Sequence, residues 1–455
     1  MKKITFRTFI CFLIALFLVG GTGYFLFQYI TDGKDWISFA ANRHLYTEGM
    51  LNKGQVLDRD GEVLVNTNGG DWLYNEDPSV RCATLHAVGD PGGMIGTGAV
   101  SVFANKISGY NFLTGARSAL SNGRNLYLTI QADVCATAYE AMNGLNGTVG
   151  VYNYKTGEII CMVSAPTYDP LNPPEITDDN EYKGAYLNNL LSATFIPGST
   201  FKLVTAAAAI ENISDIESRE FTCTGSVEIG NDVVTCSSAH GTVDFGEALT
   251  VSCNCMFGSL AVEMGSEIME QYVNQVGLTN TYSINDIATV PSTFDFNTDD
   301  NKLAWSGVGQ GNDMVNPCAL MIYAGAIANE GSAAEPQLIS KVKTSGGIRT
   351  SVYLRHSTDQ LLEASTANRL KEMMKDNVAN NYGSGNFPNL DAGAKSGTAQ
   401  SDHSEENNAW FVGFCDSEQY PYAFVVYLEG GNSGSQTAGR VASQVMQAVV
   451  AADSE

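Results

Sequence analysis

The hydrophobic pattern is strongest near the N-terminus, where residues 9–27 read FICFLIALFLVGGTGYFLF and contain no charge. A run of 19 uncharged residues is long enough to cross a bilayer as a helix. The basic segment MKKITFR comes first, so residues 1–8 are predicted to be a cytoplasmic tail and residues 9–30 a signal anchor. The rest of the chain then lies outside the cell. A cleaved signal peptide is the alternative, although an A-x-A cleavage site is missing.

Residues 31–125 combine short apolar runs with many glycines and asparagines, and they show no long amphipathic helical pattern. The segment GQVLDRDGEVLV predicts two short strands around a turn at Asp60-Gly61. We therefore expect a small β-rich stalk domain over residues 31–125.

The pattern changes after residue 125. NLYLTI predicts a strand, QADVCATAYEAMNGL a helix, and GTVGVYNYKTGEIICMVSAP a hairpin. The middle is mostly helical, with STFKLVTAAAAIEN, LAVEMGSEIMEQYVNQVG and PCALMIYAGAIANEG. Three late strands (AGAKSGTAQ, NAWFVGFC, YAFVVYLEGG) precede a final helix, AGRVASQVMQAVVAAD. This order predicts one α+β domain over residues 126–455, with a single antiparallel sheet covered by helices.

Composition narrows the function classes. The 455-residue chain is 44% hydrophobic, which is enough for a large core. It carries 25 basic and 49 acidic residues, a formal net charge of −24. Such a surface repels phosphate backbones, so we expect no nucleic-acid partner.

Ten cysteines are present. Cys223 and Cys236 flank the stretch CTGSVEIGNDVVTC in the region expected outside the cell, where a disulfide between them is one possibility and free thiols the other. Cys253 and Cys255 bracket a single residue, and no histidine is beside them in the sequence. A metal site needs four suitably spaced ligands. We therefore predict small buried thiols and no metal.

The segment PGSTFK places Ser199 three residues before Lys202, at the start of a predicted Ala-rich helix. Serine is a common helix cap, so the tetrad alone favours an ordinary helix start. A second interpretation is chemical. Residues at i and i+3 share a helix face, and a lysine amine desolvated among apolar neighbours can take the proton of a serine hydroxyl. The helix N-terminus also offers free N–H groups to a developing oxyanion.

The segment ALTVSCNCMF lies at a break between helical patterns and contains Ser252 and Asn254. The Ser252 hydroxyl is a candidate proton relay, because acyl transfer must return a proton to the leaving group. The Asn254 amide is a candidate for holding a substrate amide.

The segment KSGT lies on a predicted strand. Gly397 would let a substrate backbone approach that strand closely. Lys395 and the hydroxyls of Ser396 or Thr398 are candidates for binding a substrate carboxylate.

The three motifs follow the order S-x-x-K, S-x-N and K-[ST]-G, with intervals of 53 and 143 residues. This set is typical of penicillin-binding proteins and class A β-lactamases. From residue 54 onward the chain resembles a class B penicillin-binding protein, through GQVLDRDGEVL, YKTGEIICMVSAPTYDPLNP, GVGQGNDMVNPCALMIYAGAIANEG and NAWFVGF. It departs from the usual pattern at Ser396, where threonine is commoner, at Cys253, and at Asn408, where histidine is common.

The resemblance implies the penicillin-binding transpeptidase fold, which is also that of serine β-lactamases, and a D,D-transpeptidase without a cofactor. Ser199 would attack a peptidoglycan stem peptide and would also be acylated by β-lactams. The backbone N–H groups of Ser199 and Thr398 would form the oxyanion hole. Only about 95 residues separate the span from residue 125, too few for a glycosyltransferase domain of roughly 200 residues. The resemblance therefore implies a separate polytopic glycosyltransferase partner.

Several alternatives stay open. A D,D-carboxypeptidase would use the same groups with water as acceptor. A non-enzymatic β-lactam sensor would be expected to have a larger cytoplasmic or multi-span signalling region than the roughly eight residues before the span. A scaffold would be free to lose Lys202 or Lys395, and both are present. A β-lactamase is disfavoured, because VPSTFDFN offers no deacylating glutamate in the class A pattern. The resemblance leaves roles in elongation, division and sporulation equally open.

Overall fold

The computed structural model describes residues 2–33, 46–47, 50–51, 53–109, 123–296, 299–400 and 407–453. Parts of the predicted stalk, residues 34–45 and 110–122, therefore lie outside the described residues. The chain begins with the helix Lys2–Asp32. Its segment Thr5–Asp32 contains an 18-residue stretch with a mean hydropathy of 2.3 and is long and apolar enough to cross a membrane. The prediction of one long apolar N-terminal helix is confirmed.

A five-stranded sheet follows the helix Lys2–Asp32, and we call it the membrane-proximal sheet after the predicted membrane anchor. Its strand order is Ile339–Thr344, Arg124–Leu128, Gln55–Leu57, Val63–Asn66 and Leu73–Tyr74. The hairpin predicted from GQVLDRDGEVLV is confirmed by two of these strands. Three helices, Pro78–Val88, Ala99–Val102 and Ala104–Ser108, and a small pair of strands, Tyr46–Thr47 with Met50–Leu51, complete this region.

The helix Pro78–Val88 was not expected. Eight of its eleven residues are buried, including Arg81 and His86. A helix enclosed on most sides lacks the polar face that makes an amphipathic pattern readable. The stalk therefore contains an eleven-residue buried helix that the search for an amphipathic pattern did not predict.

The membrane-proximal sheet crosses the predicted domain boundary. The strand Arg124–Leu128 contains residue 125 and pairs in parallel with Gln55–Leu57. Its other edge pairs antiparallel with Ile339–Thr344, more than two hundred residues later. The division into residues 31–125 and 126–455 stays a prediction, because this sheet draws strands from both sides.

The central sheet is fully antiparallel, as predicted. Its strand order is Ala392–Ala399, Asn408–Cys415, Tyr422–Leu428, Gly147–Asn153 and Ile159–Ala165. The early hairpin thus joins the late strands in one sheet, with Leu428 opposite Gly147. The strand Ala392–Ala399 is at an edge of this sheet. The predicted α+β class is confirmed.

Helices cover the central sheet and form the rest of the domain. The longer ones are Ala132–Met142, Lys202–Asn212, Asn254–Gln275, Asp300–Gly307, Pro317–Ala328, Ala364–Asn377 and Gly439–Ala452. Shorter helices and turns are Asn189–Ser192, Gly198–Thr200, Ile216–Ser218, Phe245–Thr250, Val378–Tyr382, Ser384–Asn386 and Gly434–Ala438. Short strand pairs are Phe221–Cys223 with Gly241–Val243, Ser226–Ile229 with Asp232–Thr235, and Ser283–Ile284 with Ile287–Ala288. Every residue of Pro317–Ala328 is buried, which makes it the central core helix.

Asp58 connects the membrane-proximal sheet to the helix Ala132–Met142. Its Oδ1 accepts the backbone N–H groups of three consecutive residues of the turn, Asp60 to Glu62, at 2.8 to 2.9 Å. Its Oδ2 accepts the N–H of Ala132 at 3.1 Å, at the start of the helix Ala132–Met142. The carboxylate is 3% exposed, so water contributes little to its hydrogen bonding.

Replacing Asp58 with alanine should destabilise the protein by about 2–3 kcal/mol, because buried N–H groups lose a charged acceptor. Chemical denaturation of the detergent-solubilised chain measures this change. Asp60→Ala is the matched control: Asp60 is exposed in the same turn, and its loss should change the free energy of unfolding by less than about 0.5 kcal/mol. Equal effects of the two substitutions would contradict the connecting role of Asp58.

Candidate functional site

A cavity of about 680 Å³ opens where the three sequence motifs meet. Of the predicted site residues, Ser199, Asn254 and Thr398 line this cavity. The remaining predicted residues lie behind them, in contact with one another or with the cavity wall. The structure therefore brings together side chains separated by as many as 199 positions in the sequence.

Lys202 is the first residue of the helix Lys202–Asn212 and is fully buried. Its Nζ lies 2.8 Å from Ser199 Oγ, 2.9 Å from both Oγ and the carbonyl oxygen of Ser252, and 2.6 Å from Asn254 Oδ1. Burial lowers the pKa of Lys202 to about 7, although nearby thiols act in the opposite direction. A large fraction of Lys202 is therefore neutral near physiological pH.

The four oxygen atoms around Lys202 determine how a neutral amine is oriented. The Ser252 carbonyl and Asn254 Oδ1 can only accept hydrogen bonds, so they take the two N–H groups. Asn254 is held in this orientation because its Nδ2 donates to the Thr235 carbonyl at 2.8 Å. The amine lone pair is then left for a hydroxyl donor. Two hydroxyls are within reach of this lone pair: Ser199 Oγ at 2.8 Å, which faces the cavity, and Ser252 Oγ at 2.9 Å.

Ser252 joins two buried lysines. Its Oγ is 2.9 Å from Lys202 Nζ and 3.2 Å from Lys395 Nζ. Lys395 is fully buried and also donates to the Ser396 carbonyl at 2.8 Å. Burial, together with the neighbouring Lys202, lowers the pKa of Lys395. The hydroxyl is therefore positioned for the predicted relay, whereas the carboxylate-binding role of Lys395 stays a prediction.

Ser199 does not cap the helix. We expected the helix to begin at this serine, but it begins at Lys202, and Ser199 lies in the preceding single turn Gly198–Thr200. No side-chain cap bond forms at either element. The hydroxyl instead contacts the lysine amine, so the cap interpretation was wrong.

The turn that carries Ser199 is fixed by close backbone contacts. The N–H of Gly198, which has a φ of 55°, donates to the carbonyl of Gly309 at 2.8 Å. A Cβ atom at Gly309 would lie 2.0 Å from the Gly198 carbonyl oxygen, a distance no side chain tolerates. On the other side, the indole N–H of Trp410 donates to the Ile196 carbonyl at 2.9 Å. The Gly-Gln-Gly segment and the central sheet thus hold the turn between them.

Gly397 has a different role from the one expected. A Cβ atom there would lie 2.9 Å from the Pro197 carbonyl oxygen and 3.0 Å from Thr200 Cγ2. The glycine therefore makes room for the turn Gly198–Thr200. Our expectation that it also lets a substrate backbone approach the strand stays a prediction.

Tyr382 is a site residue that the sequence analysis missed. Its hydroxyl accepts the backbone N–H of Ser396 at 2.9 Å and donates to Ser396 Oγ at 3.0 Å. It comes from the irregular turn Val378–Tyr382, where no motif draws attention to it. Gln310 Nε2 similarly donates to the Thr398 carbonyl at 3.3 Å. These two side chains satisfy polar groups on the edge strand of the central sheet.

Several thiols lie close together beside the cavity, and the buried thiols predicted at Cys253 and Cys255 are among them. The Sγ atoms of Cys223, Cys236 and Cys253 and a ring nitrogen of His240 all lie within 4.8 Å of one another. Cys255 Sγ is 3.4 Å from that of Cys236. A histidine that is distant from Cys253 in the sequence is therefore close to it in three dimensions. All four cysteines are free thiols, and the Cys223 and Cys236 sulfurs are 3.8 Å apart.

Comparison with known proteins gives consistent matches. Residues 147–449 match the family model described as the penicillin binding protein transpeptidase domain. Peptidoglycan D,D-transpeptidase PbpA of Mycolicibacterium smegmatis is 27% identical over 356 residues, covering 72% of each chain. The crystal structure of PBPA from Mycobacterium tuberculosis matches with a TM-score of 0.74 at 22% identity, covering 88% of this chain and 99% of that one. Its ceftriaxone acyl-enzyme complex matches with a TM-score of 0.73 at 22% identity, covering 87% and 98%. The predicted fold is confirmed.

Gly397→Ala should slow acylation of Ser199 by a fluorescent β-lactam at least about tenfold, because the turn Gly198–Thr200 must shift away from the new methyl group. The measurement is the second-order labelling rate. Gly385→Ala is the matched control, since a Cβ atom there meets nothing within 4 Å. A normal labelling rate for Gly397→Ala would show that the turn does not depend on this contact.

Proposed function

The chain belongs to the penicillin-binding protein transpeptidase family, and we propose that it is a peptidoglycan D,D-transpeptidase with Ser199 as its nucleophile. The observation that carries the proposal is the 2.8 Å contact between Ser199 Oγ and the buried amine of Lys202 at the cavity wall. The relative PbpA is named a peptidoglycan D,D-transpeptidase, and a structural neighbour is an acyl-enzyme complex with ceftriaxone.

In the first half-reaction Ser199 Oγ attacks the carbonyl carbon of the penultimate D-Ala of a stem peptide. The hydroxyl proton passes to the lone pair of Lys202. The C–N bond then breaks, and the terminal D-Ala leaves as an amine that takes a proton. Ser252 is within hydrogen-bond distance of both Lys202 and Lys395 and is the group we assign to relay that proton. A β-lactam is attacked in the same way, and its ring amide opens.

The strand Ala392–Ala399 is the edge of the central sheet and offers its outer side to an extended substrate. The Thr398 carbonyl accepts a bond of only 3.3 Å from Gln310, which a substrate N–H can replace. We assign the oxyanion hole to the backbone N–H groups of Ser199 and Thr398. The substrate carboxylate is assigned to the hydroxyls of Ser396 and Thr398, with Lys395 behind them.

In the second half-reaction an amine of a neighbouring stem peptide attacks the acyl carbon, and the bond to Ser199 Oγ breaks. The proton lost by the amine returns to the serine through Lys202. Hydrolysis needs a base that activates water, and none of the described residues that line the cavity is a glutamate. The only carboxylate among them is that of Asp295. Lys202 can accept a proton from water as well as from an amine, so the choice of an amine acceptor is supported by the relative PbpA, which is named a D,D-transpeptidase.

The N-terminal helix Lys2–Asp32 is proposed to anchor the enzyme in the cell membrane, with residues 1–8 in the cytoplasm and the catalytic region outside. The basic residues of MKKITFR support this orientation. Glycan polymerisation is assigned to a polytopic glycosyltransferase partner that contacts the anchor and the membrane-proximal region.

Ser199→Ala should abolish covalent labelling by fluorescent penicillin, because the attacking oxygen is removed. Gel fluorescence after denaturation measures the covalent adduct. Ser237→Ala is the matched control: Ser237 is an exposed serine on the same cavity wall and should label like the unchanged protein. Undiminished labelling of Ser199→Ala would sink the mechanism.

The acylation rate should rise about tenfold per pH unit below a pKa of about 7 and level off above it, because only neutral Lys202 accepts the proton. The second-order labelling rate should be measured from about two pH units below this value to about two above. Lys302→Ala removes an exposed lysine from the same cavity and should keep the inflection. A flat profile would exclude Lys202 as the base.

A further inference from the structure

Three segments of the chain bring soft metal ligands together beside the cavity. Cys223 ends the strand Phe221–Cys223, Cys236 follows a second hairpin, and Cys253 lies in the second motif. His240 directly precedes the strand that pairs with Phe221–Cys223, in which Gly241 is opposite Cys223. We propose that Cys223, Cys236, His240 and Cys253 bind a zinc ion.

The distances between the sulfur atoms fit a shared ion. The Sγ atoms of Cys223 and Cys236 are 3.8 Å apart, and those of Cys236 and Cys253 are also 3.8 Å apart. Zinc binds thiolates at about 2.3 Å in tetrahedral geometry, which separates two sulfurs by about 3.8 Å. A disulfide would instead require about 2.05 Å between two of them. Cys236 Sγ therefore lies at this distance from the sulfur atoms of both Cys223 and Cys253, as expected for thiolates that share one ion.

The histidine supplies an independent observation. Its Nδ1 atom is buried, and in the described part of the chain it has no hydrogen-bond partner. A buried polar atom without a partner is costly, and metal coordination satisfies an imidazole nitrogen. One ring nitrogen of His240 lies within 4.8 Å of all three sulfur ligands. The histidine thus completes a set of four.

The surroundings favour a thiolate centre. The backbone N–H of Cys255 donates to Cys236 Sγ at 3.4 Å, a contact of the kind that supports metal-bound ligands from outside. Thiolate and imidazole donors select zinc over magnesium or calcium, which prefer oxygen. Four protein ligands leave no open position for substrate, so the ion is structural.

The position of the ion indicates its structural role. The strands of the two hairpins are only three or four residues long, and such hairpins are marginally stable without further support. Cys253 lies between Ser252 and Asn254, which both contact the Lys202 amine. A zinc ion on Cys253 would therefore fix the second motif relative to the hairpins that wall the cavity.

The test measures zinc directly. The full chain, purified in detergent from zinc-supplemented medium and dialysed without chelator, should contain about one zinc ion per chain by mass spectrometry of the metal. Cys223→Ser and His240→Ala should lose most of it. Cys318→Ser is the matched control, because Cys318 is a buried thiol outside the cluster, and this variant should keep its zinc. His240→Cys should also keep it, since cysteine restores a ligand.

A second measurement does not depend on how well a variant folds. Cobalt added to the unchanged, zinc-depleted protein should give the thiolate-to-cobalt charge-transfer bands of a tetrahedral site. The proposal is overturned if the unchanged chain holds no zinc, if peptide mapping finds a Cys223–Cys236 disulfide, or if both ligand variants keep full zinc content.

The zinc proposal and the transpeptidase proposal fail separately. Ser199→Ala should lose penicillin labelling and keep its zinc, because the nucleophile is not a ligand. Removing zinc from the unchanged protein with a chelator should slow labelling at least about tenfold, and restoring zinc should recover the rate. Unaltered labelling after complete zinc removal would show that the ion does not support the second motif.

Discussion

The active site depends on the burial of one lysine amine. Lys202 is fully enclosed, and an isolated ammonium in such a position would be strongly unfavourable. The protein stabilises the group by lowering its proton affinity and by surrounding Nζ with oxygen atoms from Ser199, Ser252 and Asn254. These same oxygens place the neutral amine beside the Ser199 hydroxyl. The arrangement of oxygen atoms that stabilises the buried amine is therefore also the arrangement that its role as a base requires.

The need to surround the Lys202 amine with oxygen atoms explains the backbone conformation of the second motif. Ser252 has a φ of 55°, in the left-handed region that residues other than glycine seldom adopt. This conformation accompanies a turn in which both the carbonyl and the hydroxyl of Ser252 reach Lys202. The hydroxyl also contacts Lys395, whose pKa is lowered partly by Lys202. Two neighbouring ammonium groups repel each other, so the two lysines favour a state in which one of them is neutral. The Ser252 hydroxyl contacts both amines and lies where a proton can pass between them.

The sequence predicted the local parts of the structure well. Apolar runs and turn residues located the early hairpin, the late strands and the helices, because those patterns follow directly from the geometry of each element. Spacing and residue type likewise pointed to Ser199, Lys202 and Ser252 as a group. The chemical roles of the remaining candidates stay predictions until substrate contacts are measured.

Contacts between segments that are distant along the chain could not be predicted from the sequence. Tyr382 reaches Ser396 from an irregular turn without a motif, and His240 joins the cysteines only because two strands pair beside it. The pairing of Arg124–Leu128 with Ile339–Thr344 is similarly invisible to a local pattern. The start of the helix at Ser199 was misjudged for the same reason, because the turn Gly198–Thr200 depends on what packs against it.

The nucleophile turn is rigid because backbone meets backbone at its glycines. Gly198 contacts Gly309 on one side, while Gly397 leaves room for Thr200 on the other. Backbone atoms make the closest of these contacts and cannot change rotamer, so a small displacement of either neighbour would move Ser199 itself. The same contacts therefore fix the position of Ser199 Oγ relative to the buried amine of Lys202, which lies 2.8 Å away. The distance between nucleophile and base is thus set by the backbone of the turn and its two neighbours.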